Sequence, residues 1–412
     1  MLSDLKDIVI VGGGPAGLVT AAAIVRAAPR LRSRVVVLER ATYPREKICA
    51  GGIGDRGWRY LDQLDIVPDV PQVRIHGVSV CSSEGHLIQR PGPLGRVVRR
   101  KEFDAALMER VRGLGVTIED GVRVSRLHDR GDHVRVDTSR GQLRASVVIG
   151  ADGVGSMVRR SLGLHAGALR ATVLEVDTDP TPQDLPRDLL HFDATDRRYA
   201  GYIWDFPTIV NGENIVCRGI YVLRPKTGAI ADLPPDDSID LEALLATYLT
   251  DRGLDLSAVR RKRFAERGFV PREDVVAGRR MLVGEAAGID PISGEGIAQA
   301  LEGGARAGAF LARWDGTTAG LAAWQRTFTS SRLGWDLWVR SQGTGVFYGR
   351  RRARLERAFA HSPALLEAGA IHWAGGTPSP WLLSKGLAAA ALGSVRGAPP
   401  RPHPSPNAPP VA

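Results

Sequence analysis

Near its start the chain reads Gly12-Gly13-Gly14-Pro15-Ala16-Gly17, a glycine-rich run between an apolar segment and a helix of small residues. The preceding residues, Asp7 to Val11, have the β-branched composition of a buried parallel strand. The helix is predicted to continue to about Ala28, and Arg34 to Leu38 has the composition of a second buried strand. Together these segments predict a strand–helix–strand unit, which implies a parallel sheet.

Three glycines in this run have the spacing of a dinucleotide-binding fingerprint. Gly12 allows a sharp turn, Gly14 lets the backbone approach a pyrophosphate, and Gly17 lets the helix pack against the sheet. The start of the helix would offer N–H groups to that anion. Glu39 follows at the end of the second strand, where a carboxylate can accept hydrogen bonds from a ribose. The unit predicts a dinucleotide site but does not by itself distinguish NAD from FAD.

The composition is that of an ordinary globular protein. The chain has 412 residues, of which 43% are hydrophobic and 24% charged, and this length predicts two or three domains. It contains no apolar run long enough for a transmembrane helix, and Asp4, Lys6 and Asp7 interrupt the N-terminal apolar stretch, so no signal peptide is expected. The three cysteines are widely spaced and odd in number, which predicts neither disulfides nor a metal site. We expect a cytoplasmic protein.

The C-terminal region is basic. The net charge of the chain is +10, and nine basic but only two acidic residues lie from Arg340 to Ala412. This excess fits an anionic lipid surface at least as well as nucleic acid, and no nucleic-acid-binding motif accompanies it. The run Arg350 to Arg354 could hold a diphosphate or a membrane surface, although such a run is more often a solvated helix face. The tryptophans from Trp324 to Trp381 either cap a tunnel, or Trp335 and Trp338, three residues apart, only pack a helix on the body. We expect no nucleic acid partner and leave peripheral membrane association open.

Two later segments favour FAD over NAD. Val147 to Gly153 places a strand before an Asp-Gly turn, and Met281 to Gly288 places a strand before an acid, Glu285. The second segment is followed by Pro291-Ile292-Ser293-Gly294-Glu295-Gly296 and a helix. An acid at the tip of a buried strand can bind a ribityl hydroxyl, and a glycine-rich helix start can stabilise the negative charge of a reduced flavin. The three segments in this order are typical of FAD-binding proteins.

These segments resemble the FAD-dependent oxidoreductases with a glutathione-reductase-type FAD domain and a p-hydroxybenzoate-hydroxylase-like fold. Within them, the chain resembles the geranylgeranyl reductase family, whose members saturate carbon–carbon double bonds in isoprenoid chains. Pro44 to Gly52 is similar to that family's Lys-x-Cys-x-Gly-Gly loop, and Tyr202 to Pro207 to its Tyr-x-Trp-x-Phe-Pro strand. Gly284 to Gly296 is similar to its third flavin motif, with Pro-x-x-Gly-Glu-Gly at the end.

The resemblance implies which residues contact the flavin. Arg100 begins an Arg-x-x-Phe-Asp element, whose arginine lies near the pyrophosphate or the ribityl chain. The third motif usually carries Asp where this chain has Glu285, and the longer side chain should still reach a ribityl hydroxyl. The expected cofactor contacts are Gly12, Gly14, Pro15, Ala16, Gly17, Glu39, Arg40, Lys47, Ala50, Gly51, Arg100, Asp152, Gly153, Gly284, Glu285, Pro291, Gly294, Gly296 and Ile297.

The resemblance also implies a substrate region. Cys49 either lines the active site, where it helps to position or protonate the alkene, or is a small buried core residue. Tyr202, Trp204 and Phe206 share one face of a strand because side chains alternate with a period of two. That face is either an apolar wall for a long hydrocarbon or a surface packed on the protein's own core. We expect Cys49 to be catalytic, and Gly52 and the three aromatic residues to contact substrate.

The predicted fold class is α/β (α+β overall), with a Rossmann-type FAD-binding domain, an antiparallel β-sheet substrate domain and a C-terminal helical region. The predicted FAD-binding domain comprises residues 1–75, 98–168 and 269–313. The predicted substrate domain comprises residues 76–97 and 169–268, the helical region residues 314–396, and a disordered proline-rich tail residues 397–412.

The expected function is an FAD-dependent reductase of C=C bonds in a hydrophobic isoprenoid or lipid-like small molecule. No second glycine fingerprint is present, so the electron donor is expected to be NAD(P)H that binds transiently or a separate protein. A flavin monooxygenase is the alternative, since the same fold hosts hydroxylases and epoxidases. A halogenase ranks lower because the Tyr-x-Trp-x-Phe-Pro strand only approximates the Trp-x-Trp-x-Ile-Pro element of that group. A non-redox flavoprotein that carries or isomerises a lipid is the remaining alternative.

Overall fold

The computed structural model describes residues 5–164, 169–225 and 239–396, so the tail predicted for 397–412 lies outside the described residues. The strands in these residues are, in chain order, β1 (Leu5–Val11), β2 (Val35–Leu38), β3 (Gly52–Gly54), β4 (Gln72–Ile75), β5 (Gly77–Ser82), β6 (Gly85–Gln89), β7 (Gly95–Val98), β8 (Thr117–Glu119), β9 (Val124–Asp129), β10 (Val134–Thr138), β11 (Gly141–Gly150), β12 (Leu169–Thr178), β13 (Leu189–Asp193), β14 (Gly201–Val210), β15 (Glu213–Pro225), β16 (Lys262–Arg267), β17 (Val276–Ala277) and β18 (Arg280–Leu282).

The helices alternate with these strands in the first half of the chain and follow one another in the last quarter. In chain order they are α1 (Pro15–Ala27), α2 (Asp55–Gln63), α3 (Arg100–Gly113), α4 (Met157–Ser161), α5 (Leu241–Thr250), α6 (Ile297–Leu311), α7 (Thr318–Thr329), α8 (Arg332–Tyr348), α9 (Arg352–His361), α10 (Pro363–Trp373) and α11 (Pro380–Arg396).

A mostly parallel sheet contains the strand–helix–strand unit predicted at the start of the chain. Among the described residues its central order is β17-β18-β11-β1-β2-β8, and β9 and β10 extend it from β11. Strand β1 pairs in parallel with both β2 and β11. Its residues Ile8 to Val11 are all buried, as expected for parallel strands that are covered on both faces. The carboxyl ends of β1, β2 and β11 therefore meet at one edge of the sheet.

Helices α1 and α6 pack with their backbones in close approach. A Cβ atom added at Gly304 would lie 2.5 Å from the Ala16 carbonyl oxygen, and one added at Gly308 would lie 2.4 Å from the Ala23 Cβ. Helix α1 begins at Pro15, the first helical position, where proline is well tolerated. Because both helices follow glycine-rich loops, this packing fixes the two loops relative to each other.

A second sheet of seven strands has the order β16-β12-β15-β14-β13-β5-β6 in the described residues. Its neighbours are antiparallel except for the β13–β5 pair, which is parallel. One face is covered by α5, whose Leu245 and Leu249 pack against Leu174 and Ile220. A third, small sheet has the order β3-β7-β4. The predicted fold class, a Rossmann-type domain with an antiparallel sheet and C-terminal helices, is confirmed.

The C-terminal helices place their tryptophans in different environments. Trp324 is buried in the core beside α6, whereas Trp335 and Trp338 on α8 are 62% and 47% exposed. Arg352, within the basic run, is buried and ion-paired with Glu356 at 2.7 Å, so the run is not a uniformly solvated face. Across the described helices, none is both long and apolar enough to span a bilayer.

The close approach of α1 and α6 predicts that alanine substitution of two glycines in the same helix will affect stability differently. Gly308→Ala should lower the free energy of unfolding by about 1–3 kcal/mol, because its methyl group would overlap α1. Gly303→Ala should not, because the nearest atom to its added Cβ is a Leu333 methyl carbon at 3.5 Å, an ordinary contact. Denaturant unfolding of both variants measures the difference, and equal stabilities would contradict the packing described.

Candidate functional site

A cavity of 710 Å³ lies between the carboxyl edge of the parallel sheet and the aromatic face of the seven-stranded sheet. The sequence-predicted site residues line it, with three exceptions, and whether each contacts flavin or substrate remains a prediction. The predicted residues at the cavity surface are Gly12, Gly14, Pro15, Ala16, Glu39, Arg40, Lys47, Cys49, Ala50, Gly51, Gly52, Arg100, Asp152, Gly153, Tyr202, Trp204, Phe206, Glu285, Gly294, Gly296 and Ile297.

The three exceptions, Gly17, Gly284 and Pro291, lie behind this surface. A Cβ atom at Gly17 would lie 2.0 Å from the Gly12 carbonyl oxygen, and one at Gly284 would lie 2.6 Å from the Ala16 Cβ. The carbonyl group of Pro291 accepts a hydrogen bond from the wall of the cavity. In the structure these residues pack the loops and helices behind the cavity surface.

One end of the cavity is formed by the glycine-rich loop after β1. Gly12 has a φ of +107°, which side chains other than glycine rarely adopt. Gly14 precedes α1 and gives it no side-chain cap, and Gly14, Pro15 and Ala16 line the cavity, so the start of the helix is open to an anion there. Glu39 accepts hydrogen bonds from the backbone N–H groups of Gly13 at 2.8 Å and of Ala41 at 3.0 Å. Its carboxylate is thus held at the tip of β2.

Two arginines beside this loop share one buried acid. Arg100 donates two hydrogen bonds to Asp104, at 2.7 and 2.8 Å, and Arg45 lies 3.1 Å from the same carboxylate. Both arginines line the cavity, and Arg45 was not among the predicted residues because it precedes the specified positions of the Lys-x-Cys-x-Gly-Gly motif. Asp152 also lines the cavity, but its carboxylate accepts from Ser156 at 2.5 Å and from Met157 at 2.7 Å, at the start of α4.

The loop that contains Cys49 makes a tight turn against β7. Gly51 has a φ of +83°, and a Cβ atom there would lie 1.9 Å from the Val98 carbonyl oxygen. Its N–H lies 3.4 Å from the Cys49 sulfur. Burial raises the pKa of the Cys49 thiol, so the side chain is a neutral thiol at neutral pH. Gly52 follows, and a Cβ atom there would lie 3.0 Å from the Phe206 ring.

The opposite wall is aromatic. Tyr202, Trp204 and Phe206 line the cavity from one face of β14, as the two-residue period predicts. The Trp204 ring lies over β15, where a Cβ atom at Gly219 would be 2.2 Å from it. Phe192 packs edge-on against Tyr202 and Phe206, with ring centroids 5.3 and 5.4 Å away.

The aromatic wall extends beyond the strand that the sequence motif marked. Tyr221 on β15 stacks on Tyr202, with ring centroids 5.2 Å apart. Phe264 on β16 and Trp373 on α10 also line the cavity. Sequence reasoning missed these residues, although the alternation along β15 and β16 would have placed Tyr221 and Phe264 once the strand register was known.

Three tyrosines hold the loop that precedes α6. The hydroxyl of Tyr202 donates to the Ser293 carbonyl at 2.5 Å, and that of Tyr221 donates to the Pro291 carbonyl at 3.0 Å. Tyr348 of α8 donates to the Ile292 carbonyl. Three consecutive carbonyls of this loop are therefore bonded to the wall and to the C-terminal helices.

The same loop is held from behind by buried ion pairs. Arg340 of α8 bonds Asp290 at 2.5 Å and Asp336 at 2.9 Å. Arg56 of α2 bonds Asp336 at 3.0 Å and lies 3.3 Å from Glu295. Removing one partner of a buried pair leaves an uncompensated charge, so the acids of the loop and the arginines of α2 and α8 depend on each other.

His191 lies in a polar cluster on the other face of the seven-stranded sheet. Its Nδ1 lies 2.9 Å from the Ser79 hydroxyl, and the same hydroxyl lies 2.7 Å from the Nε2 of His86. The Cys81 sulfur and a ring nitrogen of each imidazole lie within 4.8 Å of one another. The cluster is outside the cavity, because His191 alternates with the cavity-lining Phe192. The register of β5, β6 and β13 brings these residues together.

The residues present fit an FAD molecule. The start of α1 and the glycine loop suit a pyrophosphate, and Glu39 at the tip of β2 suits a ribose. Gly294 and Gly296 form a surface without side chains at the start of α6. The aromatic wall beyond them leaves an apolar space in the same cavity.

Comparison with known proteins agrees with this geometry. Residues 6–319 match the family described as FAD binding domain. The chain belongs to this FAD-binding family. The predictions that it is an FAD-dependent oxidoreductase and is related to the geranylgeranyl reductases are therefore confirmed, and its cofactor is FAD.

The relatives of this flavoprotein include two kinds of reductase. A digeranylgeranylglycerophospholipid reductase of Methanosarcina mazei is 30% identical over 346 residues, which cover 74% of this chain and 75% of that one. A menaquinone reductase of Mycolicibacterium smegmatis is 30% identical over 354 residues, 78% of this chain and 80% of that one. An uncharacterized protein of Methanosarcina barkeri is 27% identical over 231 residues, 55% of this chain and 56% of that one.

A solved structure has the same fold. It is a geranylgeranyl bacteriochlorophyll reductase-like protein from Thermoplasma acidophilum, with a TM-score of 0.67 and 18% sequence identity. The alignment covers 93% of this flavoprotein and 96% of that chain.

The position of Glu39 predicts a role in FAD affinity. Glu39→Gln should raise the dissociation constant for FAD about tenfold, because a neutral amide is a weaker acceptor for a ribose and presents an NH₂ group to the loop N–H groups. Titration of the apoprotein with FAD, followed by flavin fluorescence, measures the change. Glu109→Gln on α3, an exposed acid, is the matched control, and equal affinities for the two variants would contradict the assignment.

Proposed function

We propose that this flavoprotein reduces carbon–carbon double bonds in the isoprenoid chain of a lipid. The observation that carries the proposal is that the glycine surface before α6 and the aromatic wall of the second sheet face one cavity. The names of the two 30%-identical relatives support it, since a digeranylgeranylglycerophospholipid and a menaquinone both contain isoprenoid chains.

The residues that line the cavity would have different roles in this reduction. Reduced FAD supplies hydride when bound. Tyr202, Trp204 and Phe206 would hold an apolar chain against the flavin side of the cavity and exclude water. Cys49, as a neutral thiol at the turn beside the wall, would position the double bond.

We also propose that the electrons come from NAD(P)H that binds transiently or from a separate reductase. The sequence supports this proposal because it contains one glycine fingerprint of the dinucleotide type. We assign that fingerprint to the FAD site, which leaves none for a second dinucleotide.

Anaerobic reoxidation tests the proposed reaction. The protein is reduced with dithionite without oxygen and mixed with prenyl diphosphates, prenylated lipids or quinones with isoprenoid tails, while flavin absorbance is followed. We expect one of these classes to reoxidise the flavin and to yield a product with one double bond fewer, detected by mass spectrometry. A flavin that stays reduced until air enters, and then gives an oxygenated product, would favour a monooxygenase.

We further propose peripheral binding to an anionic lipid surface through the C-terminal helices. Trp335 on α8 and Trp381 on α11 are 62% and 67% exposed, and exposed tryptophan is typical of membrane interfaces. Arg351, Arg354 and Arg357 on and beside α9 are exposed as well, and such cations attract anionic headgroups. This arrangement would bring a membrane-dissolved substrate to the protein.

Vesicle sedimentation tests the membrane proposal. The protein should sediment with vesicles that contain phosphatidylglycerol and much less with phosphatidylcholine alone, and 0.5 M salt, on the order of a 4 Å screening length, should weaken the binding. Replacing Trp335 and Trp338 together with Ser should reduce the bound fraction several-fold. Ile88→Ser, which changes an exposed apolar residue on β6, should not. Binding that does not depend on anionic lipid would remove the proposal.

A further inference from the structure

Glu266 lies on the cavity face of β16. It pairs with Ala171 of β12, and two residues earlier on the same strand Phe264 pairs with Val173. Glu266, Phe264 and Val173 all line the cavity. An acidic side chain therefore projects from the same sheet face as the aromatic wall, where an apolar residue would be expected.

One oxygen of the Glu266 carboxyl group accepts no hydrogen bond from the described residues. Its Oε2 is buried and has no hydrogen-bond partner among the residues that the structure describes. A buried acceptor without a partner is costly and is uncommon unless a ligand, water or reaction uses it. The oxygen is thus available to a molecule in the cavity.

This oxygen lies beside the loop that precedes α6. A Cβ atom at Gly294 would lie 2.7 Å from the Glu266 Oε2 and 3.2 Å from the Tyr221 ring. The carboxyl group therefore lies where the aromatic wall meets the glycine surface assigned to the flavin. A double bond placed between the aromatic wall and the flavin would lie beside the Glu266 carboxyl group.

The surroundings favour the protonated form of Glu266. Burial raises the pKa of Glu266 well above its ordinary value, and the carboxylate of Glu285 raises it further. Lys47, from the Cys49 loop, opposes this effect, while Asp290 before α6 and Glu175 on β12 add to it. These surroundings favour the carboxylic acid form, which can donate a proton.

Other proton donors at the cavity are less suited. The hydroxyls of Tyr202 and Tyr221 are committed to the carbonyls of Ser293 and Pro291. The Cys49 thiol is intrinsically a weaker acid than a carboxylic acid, and burial raises its pKa further. Glu266 combines an acidic proton with an unpartnered oxygen.

We propose, on the basis of the proposed reductase function, that Glu266 donates the proton that completes the reduction of the double bond. The π bond breaks and two C–H bonds form, one with hydride from reduced FAD and one with the proton of the Glu266 carboxyl group. The alkene is reduced, FAD is oxidised, and Glu266 is left as a carboxylate that recovers a proton from solvent. Glu266 is in this assignment a catalytic residue, and Cys49 a positioning residue.

The first test is the anaerobic half-reaction of the FAD-loaded protein. Glu266→Gln should slow flavin reoxidation by the prenyl substrate about 100-fold or more, the range for loss of a general acid. Glu266→Asp, which keeps the acid, should recover part of the rate. Glu213→Gln, an exposed acid at the start of β15, is the matched control and should react at the wild-type rate. The wild-type rate should fall as the pH rises through the pKa of Glu266, because the acid form is required.

The second test needs no turnover. Infrared spectra of the protein with oxidised FAD are recorded at neutral pH in H₂O and D₂O. The wild type minus Glu266→Gln difference should contain the C=O band of a protonated carboxylic acid that shifts in D₂O, and the wild type minus Glu213→Gln difference should not. Bound FAD and the thermal unfolding midpoint should be similar in all three proteins.

The outcomes separate this inference from the proposed function. A wild-type flavin that no prenyl compound reoxidises overturns the proposed function, and the role of Glu266 with it. Reoxidation of Glu266→Gln at the wild-type rate overturns the role of Glu266 alone. If the wild type minus Glu266→Gln infrared difference lacks the protonated carboxyl band at neutral pH, the role of Glu266 is also overturned, whatever the reoxidation rates are.

Discussion

Three tyrosine hydroxyls, two from neighbouring strands of the seven-stranded sheet and one from α8, donate to three consecutive carbonyls before α6. These bonds join the parallel sheet, the antiparallel sheet and the C-terminal helices at one loop. The loop in turn sets the start of α6, and α6 is locked against α1 because glycines replace side chains between them. The glycine loop after β1 and the loop before α6 are therefore held in one geometry around the cavity.

The ion pairs behind the loop that precedes α6 also hold it in this geometry. Asp290 and Glu295 are buried, and a buried carboxylate needs a partner to remain charged. Arg340 and Arg56 provide these partners from α8 and α2. The C-terminal helices are consequently part of the site, although the sequence analysis treated them as a separate region. Trp373 of α10, which lines the cavity, extends this connection to the substrate side.

The cavity combines two surroundings that suit the proposed chemistry. Its aromatic wall provides a dry surface for an apolar chain, and its acids are buried, so that the pKa values of Glu266 and Glu285 are raised. Glu285 accepts a hydrogen bond from the backbone N–H of Arg267 at 3.3 Å. Burial thus favours the neutral, proton-bearing form of these acids, because a charged carboxylate is poorly solvated away from water.

Local sequence patterns were enough to predict the parallel sheet, the FAD cofactor and the aromatic strand. Glycine spacing, an acid at a strand tip and a two-residue period are properties of neighbouring residues, and they placed Gly12, Glu39 and Trp204 correctly at the cavity. The positions of Arg45, Tyr348 and Glu266 at the site became visible only in the folded structure. These residues are distant in the chain, and their roles depend on strand register, helix packing and burial, which no local pattern encodes.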